Sequence, residues 1–286
     1  MKILITGTNG FVGKNMKEYF KARKYNLHCP KRQQLNLLDS LAVFDYLKKY
    51  HFDVVVHCGV NILSVEQNLK MYFNLERCSK YFGKLFSIGS GAEYDKRKYI
   101  KRMNEDYFLK NIPDDVYGFS KYVIAKDIEY TKKNIYNLRV FGIFGKYEDY
   151  KRRFITNNIC KVLCNLDISI KQNMYFDYIY INDFCRIVEI LMDKSPQHRS
   201  YNICAEKSID LMTLGKIINQ IDGNKASILV KEKGLNLEYS GDNSRFIKEF
   251  GKFNYTNHEQ AISELYKWYS DSNNIDLNPK DFTYND

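Results

Sequence analysis

Along the first half of the chain, short runs of β-branched and aromatic residues alternate with longer stretches whose apolar positions recur every three to four residues. That is the pattern of a parallel sheet built from strand–helix–strand units. It predicts strands over residues 2–6, 25–29, 52–57, 84–89 and 135–141, and helices over 11–23, 40–50 and 113–131. The layout is α/β and doubly wound. Beyond residue 145 the rhythm turns irregular, with a helix near 156–166, a strand over 175–181, a helix over 183–192, a strand over 200–203 and a last helix over 258–269. The expected division is a main unit over 1–145, completed by 176–204, and a smaller lobe formed by 146–175 and 205–286.

Composition narrows the picture only a little. The 286 residues, 44% of them hydrophobic, suffice for one large domain or a large domain with a smaller partner. The longest apolar runs, such as 53–60, are strand-sized, so no membrane span is expected. The first residues pass directly from a short apolar run into a glycine motif without the features of a signal peptide, and the expected location is the cytoplasm. Seven cysteines, with no CxxC pair or neighbouring His cluster, read as reduced thiols rather than as a metal site. A net charge of +10 is dispersed along the chain and decides nothing between an anionic ligand and a solvated surface.

The stretch Gly7-Thr8-Asn9-Gly10-Phe11-Val12-Gly13 follows a predicted strand and opens a predicted helix, the context in which a glycine motif predicts nucleotide binding. Gly7 permits the tight turn, Gly10 lets backbone approach a pyrophosphate, and Gly13 lets helix pack on strand. The helix N-terminus then offers free N–H groups to the diphosphate. After the second strand, where an NAD site places an acid, stand Lys31 and Arg32. Two cations there favour the 2′-phosphate of NADP over NAD, with NAD still open.

Tyr117 and Lys121 are four residues apart on a predicted helix, so both side chains leave one face. A fixed cation beside a phenol favours the phenolate and makes the pair suited to proton transfer. In a chain with 24 tyrosines this spacing arises easily by chance, and only its position lends it weight. Upstream, Ser90 ends the fourth strand, at the sheet edge where such folds bind ligands, placed to donate to a carbonyl oxygen or simply to cap its own loop.

Together, the TGxxGxxG turn, the serine ending the fourth strand and YxxxK in the next helix resemble the extended short-chain dehydrogenases/reductases that act on nucleotide sugars. The likeness runs nearly end to end. Residues 35–40 read like the GDP-fucose synthase branch, 138–145 resemble the LRxxNxYGP segment, 177–183 the RDFIHVDD segment, 201–203 the YNI strand and 242–251 the DxSKxxxxLG motif. The resemblance implies hydride exchange between a nicotinamide and a sugar carbon, with Tyr117 handling the oxygen proton, Lys121 holding the nicotinamide ribose and lowering the Tyr117 pKa, and Ser90 polarising the C–O group. It also implies Asp39 near the adenine, Cys58, Gly59 and Val60 as the wall beneath the coenzyme, Asn74 in the same site, and a homodimer. For the substrate, Arg153, Lys161 and Arg245 are the cations available to a diphosphate, and Glu93 and Tyr94 are candidates for sugar hydroxyls.

Departures from the family pattern narrow the reaction. Sugar 4,6-dehydratases carry Thr-Asp-Glu where this chain has Ser90-Gly91-Ala92, and the 3,5-epimerising members carry a Cys at the Ala92 position and a His near Arg153. What remains is reduction of a nucleotide-linked 4-keto sugar or 4-epimerisation with retained NAD. The chain length and the Lys31–Arg32 pair favour the reductase. Gly142 and Phe144 replace the family's Asn and Tyr. A non-catalytic coenzyme-binding or RNA-binding relative is the remote alternative, and no RNA-binding motif supports it.

Overall fold

A computed structural model describes residues 1–282; the expected lobe's 283–286 lie outside the described residues. Six strands form one all-parallel sheet: β1 (Lys2–Thr6), β2 (Asn26–His28), β3 (Phe52–His57), β4 (Phe82–Ser90), β5 (Ile135–Val140) and, after a long excursion, β10 (Ser200–Ile203). Their spatial order is β10-β5-β4-β3-β1-β2. The connections reverse direction between β1 and β3, which opens a crevice at their carboxyl ends.

Alternation along the strands divides the interior into two cores. Ile3, Ile5, Val54, Val56 and Phe86 face one side, where α1 (Phe11–Ala22) and α6 (Ile181–Asp193) cover them. Leu4, Val55 and Leu85 face the other, against α2 (Ser40–Tyr50), α3 (Val65–Glu76) and α4 (Val116–Tyr130). With both faces covered, the strands are near-continuous apolar runs, as buried parallel strands are.

The excursion between β5 and β10, together with residues beyond β10, builds the second layer of the molecule. The helices α5 (Phe154–Leu163), α7 (Leu211–Ile221) and α9 (His258–Ser270) pack on one another, and α7 also packs on a parallel pair, β7 (Ile168–Asn173) with β12 (Ile228–Leu235). A short helix, α8 (Ser244–Phe250), returns to β10.

Several elements differ from expectation for local reasons. The helix expected from 113 begins at Val116, because the Asp115 carboxylate caps it by accepting from the Gly118 amide at 2.9 Å. The single strand expected over 175–181 is split into β8 (Tyr175–Phe176) and β9 (Ile179–Tyr180). Between them Asp177 is buried and accepts from the backbone amides of Gly142 at 3.3 Å and Gly241 at 2.5 Å. β9 pairs with β6 (Ile143–Phe144), and β8 with β11 (Ile209–Asp210).

Candidate functional site

The turn after β1 is built by sterics. Gly7 has φ +70°, and a Cβ there would lie 2.6 Å from the Gly59 nitrogen; a Cβ on Gly13 would lie 2.4 Å from the Gly7 carbonyl oxygen. Only glycine fits either position. The helix that follows has Gly10 at its N-cap, no side chain capping it and no acid in its first turn. Its first amides are therefore left for an anion.

Two cavities open along the crevice. The first, about 470 Å³, is lined by Thr6, Gly7, Thr8, Asn9 and Gly10, by Lys31 and Arg32, and by Leu37, Leu38, Cys58, Gly59 and Val60. The second, about 680 Å³, is lined by Phe11 and Val12 of the glycine turn, by Ser90 and Tyr117, and by Arg153. They share Gly10, Cys58, Val60 and Ile62, and so form one continuous groove across the sheet edge. Burial holds the Cys58 thiol up to about 12, so it is a wall and not a nucleophile. Behind the groove, the Thr6 hydroxyl and His57 Nδ1 lie 2.8 Å apart, and burial first, then the Lys121 charge, keeps that imidazole neutral, with a pKa lowered to about 3.

Ser90 and Tyr117 both line the second cavity, and the Ser90 hydroxyl accepts from the Ala92 amide at 3.2 Å. The serine thus caps its loop and lines the cavity at once. Lys121 is buried one turn along α4, its ammonium donating to the Ile88 carbonyl at 2.6 Å and lying 5.9 Å from the centre of the Tyr117 ring. The expected lowering of the Tyr117 pKa by Lys121 is not what dominates in the protein alone. Burial pushes the phenol up, with the nearby Ser90 hydroxyl and the Arg153 charge pulling the other way, and burial pushes Lys121 down.

Other expected site residues are placed elsewhere. Glu93 is fully buried, accepting from Arg139 Nε at 2.5 Å, Asn137 Nδ2 at 2.9 Å and the Ser90 amide at 2.9 Å. Tyr94 is buried beside it, donating to Asn202 at 2.8 Å. Neither lines the groove, because the short 3-10 turn over Gly91–Tyr94 directs both inward. Lys161 is buried and donates to the Ser169 hydroxyl at 2.7 Å, while Arg245 faces Asp106 at 3.1 Å and Glu105 at 3.7 Å. Asp39 caps α2, accepting from the Leu41 and Ala42 amides, and Asn74 donates to the Leu37 carbonyl at 2.8 Å, holding the cavity-lining loop rather than lining it. Conversely, the second cavity includes residues the sequence did not single out: Glu148, Tyr178 and Tyr239, among Phe141, Phe154 and Phe176.

No three His, Cys, Asp or Glu residues gather as a metal site among the described residues, and none of the described helices is long and apolar enough to cross a membrane.

A glycine-turn nucleotide cleft running into a wall of serine and tyrosine at the switch point defines the class: a Rossmann-fold enzyme architecture of the short-chain dehydrogenase type. The model of the NAD dependent epimerase/dehydratase family matches residues 3–204, and the chain belongs to that family. It is 22% identical to the GDP-L-colitose synthase of Yersinia pseudotuberculosis, over 96% of this chain and all of that one. It is 21% identical to the GDP-6-deoxy-D-talose 4-dehydrogenase of Aggregatibacter actinomycetemcomitans, over 93% and 97%. Among solved structures, a GDP-mannoheptose C4 reductase from Campylobacter jejuni with NADP bound superposes with a TM-score of 0.80 at 19% identity, covering 94% of this chain and 98% of that one, a likeness of fold.

Proposed function

We propose that the protein is an NAD(P)H-dependent reductase of a nucleotide-linked 4-keto sugar. The observation that carries this is the composition of the wall of the second cavity: Ser90 and Tyr117 line it, and Ala92 beside them supplies neither acid nor thiol. Reduction of a carbonyl needs one proton donor and one hydrogen-bond donor, and these two side chains provide them. A dehydration or an epimerisation next to the carbonyl needs further groups at the Ala92 position.

The cleft of Gly7 to Gly13 fits a dinucleotide, and Lys31 and Arg32 on its rim fit the 2′-phosphate of NADP. When bound, the coenzyme supplies the hydride for C4. Tyr117 gives its proton to the carbonyl oxygen, Ser90 holds that oxygen in place, and Lys121 beneath them stabilises the phenolate left behind. Arg153, which lines the same cavity, is the cation available to the diphosphate. The colitose synthase, the talose dehydrogenase and the heptose reductase are all named for GDP-linked sugars, which favours a GDP-linked substrate.

The test is oxidation of NADPH, followed by its absorbance, with a panel of freshly generated nucleotide 4-keto-6-deoxy sugars. Consumption that is lost in Tyr117→Phe supports the reading and names the nucleotide. Purified protein that carries bound NAD, consumes none of the panel and interconverts 4-epimers replaces it with the 4-epimerase.

A further inference from the structure

Two buried glutamates border the Ser90–Tyr117 wall, and they are partnered in opposite ways. Glu93 has Arg139, Asn137 and the Ser90 amide, a complete set of donors for a carboxylate facing away from the cavity. Glu148 lines the cavity, is only 7% exposed and, among the described residues, has no ion pair within 4.0 Å. Its nearest side-chain partner is Thr156, whose hydroxyl lies 3.1 Å from Glu148 Oε2 and also 3.1 Å from the Arg153 carbonyl. A hydroxyl has one hydrogen, and a carbonyl cannot donate. The Thr156 hydroxyl donates to Oε2 or to the carbonyl, one at a time, so it partners at most one of the two carboxyl oxygens. The remaining carboxyl oxygen is then an acceptor in a wall otherwise made largely of Phe141, Phe154, Phe176 and Tyr178.

We infer that Glu148 is a sugar-recognition residue, whose free carboxyl oxygen accepts a hydrogen bond from a hydroxyl of the glycosyl group of a nucleoside diphosphate sugar. The inference rests on the reading of the substrate class given above. Apolar cavities orient polar ligands through a few convergent polar groups; here Ser90 and Tyr117 are committed to the reacting oxygen and Arg153 to the diphosphate, and Glu148 is the carboxyl left, beside the Tyr178 and Tyr239 phenols, for the sugar ring. The surroundings agree with a neutral acid: burial, and to a smaller extent Asp149, outweigh the Thr156 hydroxyl, Arg153 and the Gly145 amide and leave Glu148 raised to about 8. From the elements packed around it, the phenols of Tyr178 and Tyr269 also face it. Ionisation places an unpaired charge on the cavity wall.

Titration calorimetry on the full chain with NADP⁺, from pH 6 to 9, tests this with GDP-mannose, dTDP-glucose and UDP-glucose, each beside its nucleoside diphosphate, for wild type, Glu148→Gln and Glu148→Leu. For the sugar nucleotide that binds best, wild-type affinity is expected to fall about tenfold per pH unit above the Glu148 transition. Glu148→Gln, which mimics the protonated acid, is expected to remove that fall. Glu148→Leu is expected to weaken the sugar nucleotide about tenfold at pH 7 while leaving the nucleoside diphosphate unchanged. Identical pH profiles for wild type and Glu148→Gln overturn the assignment while the substrate class stands, and this comparison decides the matter even where the leucine variant fails to fold. Absence of binding by any of the sugar nucleotides to wild type overturns the assignment together with the reading beneath it.

Discussion

The guanidinium of Arg139 meets the carboxylate of Glu93 at 2.5 Å with both side chains wholly out of solvent. The same carboxylate accepts from the Ser90 amide, so the pair under the sheet edge sets the backbone from which the Ser90 hydroxyl projects. A further Arg139 hydrogen bond goes to Tyr94 at 2.8 Å, which ties the loop to the sheet a second time.

Removing one partner of such a pair leaves the other charge buried and uncompensated. Glu93→Ala is expected to destabilise the fold by about 3–5 kcal/mol, read by urea denaturation. Glu93→Gln, which can still accept from Ser90, is expected to cost less and to retain more turnover than the alanine variant.

Tyr117→Phe keeps the ring and deletes the proton. Turnover is expected to drop by about 100- to 10,000-fold, with NADPH affinity little changed, as measured by steady-state rates and coenzyme titration. Lys121→Met is expected to lower turnover as well and to weaken coenzyme binding, which separates its role from that of Tyr117.

Lys31 and Arg32 are exposed on the rim of the first cavity. Replacing both with alanine is expected to raise KM for NADPH by about 10- to 100-fold, the worth of one charge-assisted phosphate contact, while KM for NADH stays put. Equal effects on the two coenzymes would assign the pair to the solvated surface.

His57 gives the protein a stability that depends on acid. Its folded pKa is lowered from 6.5 to about 3 by burial, so between those values the unfolded chain binds more protons than the folded one. Stability therefore falls as pH drops through that window. Thermal melts from pH 7 to 4 are expected to show the decline, and His57→Gln, which can still hydrogen-bond Thr6, is expected to flatten it.

The features legible in the sequence are those imposed by backbone geometry or by spacing within one element. The glycine turn could be read because Gly7 and Gly13 tolerate no Cβ, and Tyr117 with Lys121 because four residues return to the same helix face. What escaped depends on partners distant in sequence. Glu93 and Tyr94 look like hydroxyl ligands beside Ser90 until Arg139, 46 residues past Glu93, turns out to hold the glutamate inward. Glu148 stands in a charged, aromatic run, Lys146-Tyr147-Glu148-Asp149-Tyr150, that reads as ordinary surface; only the packing of α5 against it shows that one of its acids is enclosed. The β7–β12 pair was missed for a related reason. Its strands come from segments about 60 residues apart, and β12 is largely exposed, without the alternation that marks a half-buried strand.

The order of the sheet also bears on how the chain is made. β5 is buried along its whole length, yet the strand that covers its outer side, β10, lies roughly 60 residues later. At ribosomal speeds of about 5–20 residues per second, the nascent protein spends about 3–12 s with five strands laid down and a bare row of backbone donors and acceptors along β5. During that interval the growing chain offers a sticky template to its neighbours on the polysome, and the last four-residue strand is the latch that ends the hazard.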